Sequence, residues 1–155
     1  MTPRRKVKWV AAAEPIGPML MDELHKTGQT RFPVAKELAK SASPEVVGSL
    51  YLKDLLDNLE NKGRIRDIML PGANYINESQ TLLGALDGFL KSGRHLMVVV
   101  NNFEETVGIL TLDDLFEQIL GHKITGDFDR YSDIRSVAGH DTQPSDDKEA
   151  KAGVE

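Results

Sequence analysis

The chain has 155 residues, enough for one domain or for two small halves sharing a core. Hydrophobic residues make up 40% and the formal net charge is −5, a balance that argues against a nucleic-acid or anionic-membrane surface, since both need clustered Lys and Arg. The absence of cysteine excludes a disulfide framework and thiol chemistry, and no apolar run approaches the ~18–20 residues needed to span a bilayer. Lys6 to Val10 alternates basic and apolar residues and predicts a strand. Glu14-Pro15-Ile16-Gly17-Pro18 is a turn that delivers a helix, Met19 to Lys26, closed by Gly28. Phe32 to Ala35 and Val46 to Tyr51 predict strands, and Leu52 to Leu59 a helix with Leu55, Leu56 and Leu59 on one face. After Asn61-Lys62-Gly63 the order returns: a strand around Asn74 to Ile76, a helix from Leu82 to Ser92, strands Leu96 to Val100 and Thr106 to Leu110, and a helix from Leu112 to Leu120. Leu96 to Val100 is continuously apolar, which predicts burial on both faces. From about Thr125 the pattern dissolves. Asp141 to Glu155 is polar and cannot bury enough surface to offset its ordering entropy, so a disordered tail is expected there.

The halves are copies. Val47-Gly48-Ser49-Leu50-Tyr51-Leu52-Lys53-Asp54-Leu55-Leu56 returns as Val107-Gly108-Ile109-Leu110-Thr111-Leu112-Asp113-Asp114-Leu115-Phe116. Upstream, Thr27-Gly28-Gln29-Thr30-Arg31-Phe32-Pro33-Val34 matches Lys91-Ser92-Gly93-Arg94-His95-Leu96-Met97-Val98, and Met1-Thr2-Pro3 matches Met69-Leu70-Pro71. Matched blocks in one order mean a tandem duplication. The fold class is therefore α/β (α+β): two β-α-β-β-α units packed through their sheets as one pseudo-twofold module, with a cleft between them where a ligand site tends to form. The expected boundaries are 1–60 and 69–124 for the repeats, 61–68 for a linker and 125–155 for the polar tail.

The repeated Gly-apolar-apolar-(Ser/Thr)-x-x-Asp pattern, preceded by a Pro-Val or Val-Val strand, resembles the CBS domain pair, or Bateman module, from Met1 to about His122. The segments Met1-Thr2-Pro3-Arg4, Thr30-Arg31-Phe32-Pro33-Val34, Tyr51 to Leu56, Arg66 to Pro71 and Thr111 to Gly121 are similar to the cytosolic CBS pair of the CNNM/CorC (HlyC/CorC-like) magnesium-transporter family. One departure is clear. Where that family often has Asp-Glu-(Tyr/Phe)-Gly-Gly-Thr, this chain has Asn101-Asn102-Phe103-Glu104-Glu105-Thr106, and the loss of both glycines changes the turn. The resemblance implies a regulatory, non-enzymatic module that binds an adenine nucleotide, ATP or else ADP or AMP, with Mg2+ accompanying it. It also implies a homodimer, attachment to a transmembrane domain upstream, a place at the cytoplasmic face of a membrane and no nucleic-acid partner. The rival readings are a structural dimerisation module without ligand and a nucleotide sensor for an unrelated soluble partner.

Thr111 and Asp114 are the leading site candidates. Thr-x-x-Asp at a helix start fits a capping box, and it also fits a ligand site in which the carboxylate takes ribose hydroxyls and the hydroxyl and helix N–H groups meet phosphate. In the first repeat Asp54 persists although Tyr51 has replaced the hydroxyl. An acid kept without its cap points beyond capping, and the complete pair ranks the second repeat as the better site, with the Tyr51 ring filling the first. By resemblance, His95 faces phosphate, beside Arg94, and Arg31 lies near the equivalent place in the first repeat. Tyr75 and Ile76 would flank an adenine ring from one strand, with Met97 and Val98 opposite. No P-loop, GxGxxG, HExxH or nucleophile elbow is present, and His25, His122 and His140 have no metal-ligand spacing. The carboxylates Glu104, Glu105, Asp113 and Asp114 fit a solvated hairpin and helix start better than a metal centre.

Overall fold

The computed structural model describes residues 1–38 and 43–121; the expectations for 125–155, His122 and His140 fall outside them. In chain order the elements are β1 (Thr2–Pro3), a 3-10 turn (Arg4–Lys6), β2 (Val10–Ala11), α1 (Pro18–His25), β3 (Arg31–Ala35), β4 (Val46–Tyr51) and α2 (Leu52–Asp57). There follow α3 (Ile65–Ile68), β5 (Leu70–Pro71), β6 (Tyr75–Asn77), α4 (Leu82–Ser92), β7 (Leu96–Val100), β8 (Thr106–Thr111) and α5 (Leu112–Leu120). The fold is mixed α/β with two four-stranded sheets, in the orders β2-β3-β4-β5 and β6-β7-β8-β1. In each, the first pair is parallel and the others antiparallel.

The two sheets repeat down to their irregularities. Both central hairpins carry a register shift just before the glycine, between Val34 and Ala35 in one and between Val99 and Val100 in the other. The leading strand of each repeat, however, lies in the other repeat's sheet. Pro3 pairs with Gly108, and Pro71 pairs with Gly48. Glycine is required at both crossings. A Cβ on Gly48 would come 2.6 Å from the Leu70 carbonyl oxygen, and one on Gly108 would overlap that of Thr2. The exchange uses proline strands at a sheet edge, where a missing N–H costs no ladder bond.

Each sheet has one face covered by helices. Val10, Leu20, Leu24, Phe32, Val34, Leu50, Leu55 and Ile65 form the first core, and Ala85, Phe89, Met97, Val99, Leu110 and Leu115 the second. The opposite faces meet in a seam where Val7 and Trp9 pack on Leu96 and Ile109. Residues 61–68, read from the sequence as a linker, include the α3 turn, whose Ile65 is fully buried in the first core. The strand expected over Lys6 to Val10 is confined to Val10–Ala11, because Arg4–Lys6 tightens into a 3-10 turn after Pro3. Helix ends follow their caps. The Thr81 hydroxyl accepts the Gly84 N–H at 3.1 Å, and Gly93 and Gly121 close α4 and α5 with positive φ.

The glycine-free hairpin is rebuilt by Asn101. Its Oδ1 accepts the N–H groups of Phe103 (2.9 Å) and Glu105 (3.0 Å), and its own N–H donates to the Glu105 carbonyl. Glu104 then takes φ 61, the one positive φ at a non-glycine among the described residues. Left-handed strain of ~1–2 kcal/mol exceeds the ~0.5–1 kcal/mol that glycine's extra unfolded freedom costs. Glu104→Gly should therefore stabilise the protein by about 0.5 kcal/mol, and Glu104→Val should destabilise it. Urea midpoints that move in the opposite order would contradict this loop geometry.

Candidate functional site

The site candidates gather where β8 runs into α5. Thr111 ends the strand and is the N-cap of the helix. Its Oγ1 accepts the Asp114 N–H at 3.2 Å, and the Thr111 N–H donates to Asp114 Oδ2 at 3.3 Å, a complete capping box. Neither side chain is exhausted by this. The threonine hydroxyl proton and Asp114 Oδ1 keep hydrogen-bonding capacity, and the Asp114 side chain is 30% exposed. At the first repeat's equivalent place Tyr51 precedes α2 with no side-chain cap, and Asp54 lies in the first turn.

Strand alternation sorts the other candidates. Tyr75 pairs with Val98 in parallel register, so the two share a face, the one toward the other sheet. The Tyr75 hydroxyl donates to the Val46 carbonyl, in the first sheet, at 3.5 Å. Val98 is fully buried, while Tyr75 is 55% exposed. Ile76 and Met97 belong to the opposite, helix-covered face, packed in the second core with Phe89 and Leu115. The seven candidates thus form a capping pair, a seam pair and a core pair, with His95 exposed at the entrance to β7. The backbone of His95 ties that entrance to the helix: its carbonyl accepts the Leu112 N–H at 3.1 Å.

Sequence reasoning expected the repeats to pack through their sheets but did not pair the side chains that join them. Arg31 lies with its guanidinium carbon 4.9 Å from the Tyr51 ring centroid, and its Nη1 is 3.8 Å from Asp113 Oδ2 at the start of α5. The first-repeat position is thus occupied by a stacked Arg–Tyr pair whose cation reaches the second repeat's helix. Arg94 Nη2 donates to the Pro71 carbonyl at 2.8 Å, across to the first sheet. The signal for these pairs was the exchange of Met1–Pro3 with Met69–Pro71, visible as a repeat but not as a crossing. No group of three or more His, Cys, Asp or Glu that could hold a metal occurs among the described residues. Nor is any helix among them long and apolar enough to cross a membrane.

Two glycine-gated sheets, each followed by a helix opening on an acidic residue, define the class. Residues 65–121 match the CBS domain family model, so this part of the chain is a CBS domain. Its homologues are the CorC/CNNM proteins. The magnesium and cobalt efflux protein CorC of Pasteurella multocida is 28% identical over 144 residues, covering 90% of this chain and 46% of that protein. Hemolysin C of Brachyspira hyodysenteriae is 32% identical over 92 residues, 59% of this chain and 32% of that one. The chain thus spans less than half the length of these curated relatives. Among solved structures, the CBS domain of a bacterial CNNM/CorC family Mg2+ transporter in complex with ATP superimposes with a TM-score of 0.66 at 26% identity, over 79% of this chain and 84% of that one.

Proposed function

We propose that the chain is the regulatory CBS pair of a CNNM/CorC-type membrane protein and binds an adenine nucleotide, Mg-ATP, at the second repeat. The observation that carries this reading is the Thr111–Asp114 pair, which caps α5 and still keeps a hydroxyl proton and a carboxylate oxygen free. Asp114 would take the ribose hydroxyls, and Thr111 with the helix N–H groups would take phosphate. Tyr75 and Val98 would flank the base at the seam, while Ile76 and Met97 would hold the two strands from behind. His95 would stand at the phosphate end. Mg2+ would arrive on the nucleotide and need few protein ligands. The likeness to an ATP complex of a related CBS domain supports the choice of ligand.

In this reading the repeats run over 1–60 and 69–124 and form one regulatory unit that catalyses no reaction. The nucleotide would control the attached transmembrane part, at the cytoplasmic face, by preferring one arrangement of the pair. Titration calorimetry with ATP, ADP and AMP, with and without Mg2+, tests the ligand. Heat that saturates at a defined stoichiometry is expected, and its absence with every nucleotide would reject the proposal. A second reading keeps the fold and drops the ligand. What favours it is that the capping box by itself employs both Thr111 and Asp114.

The helical faces support a homodimer. Met19 on α1 is 88% exposed, and Leu83 and Leu90 on α4 are 76% and 73% exposed. A second copy of the chain would cover them, as contiguous exposed apolar patches are covered at interaction sites. Light scattering at ~100 μM should report a dimer, because interfaces of standard size persist at that concentration. A monomer there would remove the dimer from the proposal.

A further inference from the structure

Phe103 is 85% exposed at the tip of the β7–β8 hairpin, yet the loop that carries it is fixed. Asn101 Oδ1 accepts the N–H groups of Phe103 and Glu105, Asn101 Nδ2 donates to Glu105 Oε2 at 2.8 Å, and Glu104 holds φ 61. Asn102 Oδ1 accepts from Asn77 Nδ2 at 3.1 Å, which ties the tip to the end of β6. A ring held in place by its loop loses little freedom when it meets a partner. Glu104 and Glu105 flank it in the chain, and neither has an ion-pair partner among the described residues. The tip is an aromatic knob with an acidic collar.

The first repeat carries a feature of the opposite kind. The turn before α1 and the chain leaving α2 form an open cavity of about 430 Å3, lined by Ala13, Pro15, Ile16, Lys62, Gly63 and Arg64. Its walls are tied through the backbone: the Ile16 N–H donates to the Gly63 carbonyl at 3.0 Å, and the Ile65 N–H to the Glu14 carbonyl at 2.9 Å. Arg64 Nη1 donates to the Ala13 carbonyl at 3.2 Å, which sets a cation at the rim. Lys62 adds a second, exposed and without an ion-pair partner among the described residues. Gly63 keeps the floor open. It has no positive φ that would demand glycine, and a Cβ there would stand 3.5 Å from Ile16 Cδ1. The floor is apolar and the rim is basic.

We propose that the Phe103 tip of one copy of the chain seats in the Ile16 cavity of another, with Glu104 and Glu105 against Lys62 and Arg64. The two surfaces match in polarity and in sign of charge, which is what fixes register between partners. A bare ring does not fill the cavity of its own chain, so the contact runs between copies. Each copy offers one knob and one cavity. The contact is therefore heterologous and adds copies head to tail, unlike a twofold dimer through the helical faces. Nucleotide has no part in it.

One aromatic anchor covers far less than the ~1,200 Å2 of stable interfaces, so the association should be weak, with a Kd of about 0.1–1 mM. Sedimentation equilibrium up to ~2 mM should then show an average mass that keeps rising above its value at ~100 μM. Phe103→Ser should weaken this step more than tenfold, the loss of an aromatic anchor. Lys62→Glu and Glu104→Lys should each weaken it several-fold, and the association should fall with added salt. All these side chains are exposed, and thermal melts verify that the variants fold. Mixing Phe103→Ser, whose cavity is intact, with Lys62→Glu, whose knob is intact, should raise the mass above that of either variant alone. A mass that stays flat to ~2 mM would overturn the proposal, as would a rise that Phe103→Ser leaves unchanged or a mixture no heavier than its components. A rise lost in Phe103→Ser and kept in Lys62→Glu would place the knob on another surface and overturn it too.

Discussion

Gly108→Ala is expected to cost about 3 kcal/mol of stability, at the upper end of overpacking penalties, and to lower the melting temperature by about 10 °C or more. One methyl group does this because the Gly108 backbone faces the crossing strand directly. The new Cβ would overlap the Thr2 carbonyl oxygen and press on Pro3 Cα at 3.3 Å, and both of these are backbone atoms with no rotamer to escape into. Gly48→Ala should act in the same direction. Its Cβ would meet the Leu70 carbonyl oxygen at 2.6 Å and Met69 Sδ at 3.0 Å, and only the methionine can swing away. Gly17→Ala is the control, since it has extended backbone and nothing within 4 Å. Circular dichroism melts that place Gly108→Ala beside Gly17→Ala would mean that β1 does not cross onto β8.

That crossing is what the sequence concealed. The helices at Leu82–Ser92 and Leu112–Leu120 and the strands at Val46–Tyr51 and Leu96–Val100 were legible to the residue, because periodicity and caps are local. The duplication was legible too, but its Thr27–Val34 block is off by one, since Val34 and Val99 face the repeated glycine. Which sheet Thr2–Pro3 joins is a long-range choice. A two-residue strand carries no periodicity, and either sheet offers it the same glycine-flanked edge. The role of Ile65 was hidden for a similar reason: a four-residue helix after Asn61-Lys62-Gly63 reads as linker until its side chain is found in the first core.

At the candidate site the sequence carried residue types but not faces. Tyr75, Ile76, Met97 and Val98 were grouped by chain position. A strand sends neighbours to opposite sides, so only Tyr75 and Val98 reach the seam. Thr111 and Asp114 were legible as a pair because the helix start fixes their spacing. Arg31's reach to Asp113 was not, since it depends on how the two sheets meet.

Asp114→Ala is expected to weaken ATP binding about tenfold or more, the loss of a charge-assisted hydrogen-bond pair of ~1.5–3 kcal/mol. Asp54→Ala should weaken it much less. The first repeat has Tyr51 in place of the hydroxyl, and that ring lies under Arg31. Stability must be separated from binding, because Asp114 also accepts the Thr111 N–H. Losing that half of the capping box costs ~1 kcal/mol on its own. Asp114→Asn makes the separation: the amide oxygen keeps the acceptor for the cap and removes the charge that would hold two ribose hydroxyls. It should therefore melt near the unaltered protein and still bind ATP weakly. Thr111→Val keeps the shape while deleting the hydroxyl, so it should lower both stability and affinity. Calorimetry on variants shown by circular dichroism to be folded gives the comparison. Equal losses from the Asp114 and Asp54 variants would overturn the ranking of the two repeats. Full ATP affinity in Asp114→Ala would reduce the carboxylate to a helix cap and leave the ligand-free dimer as the better account.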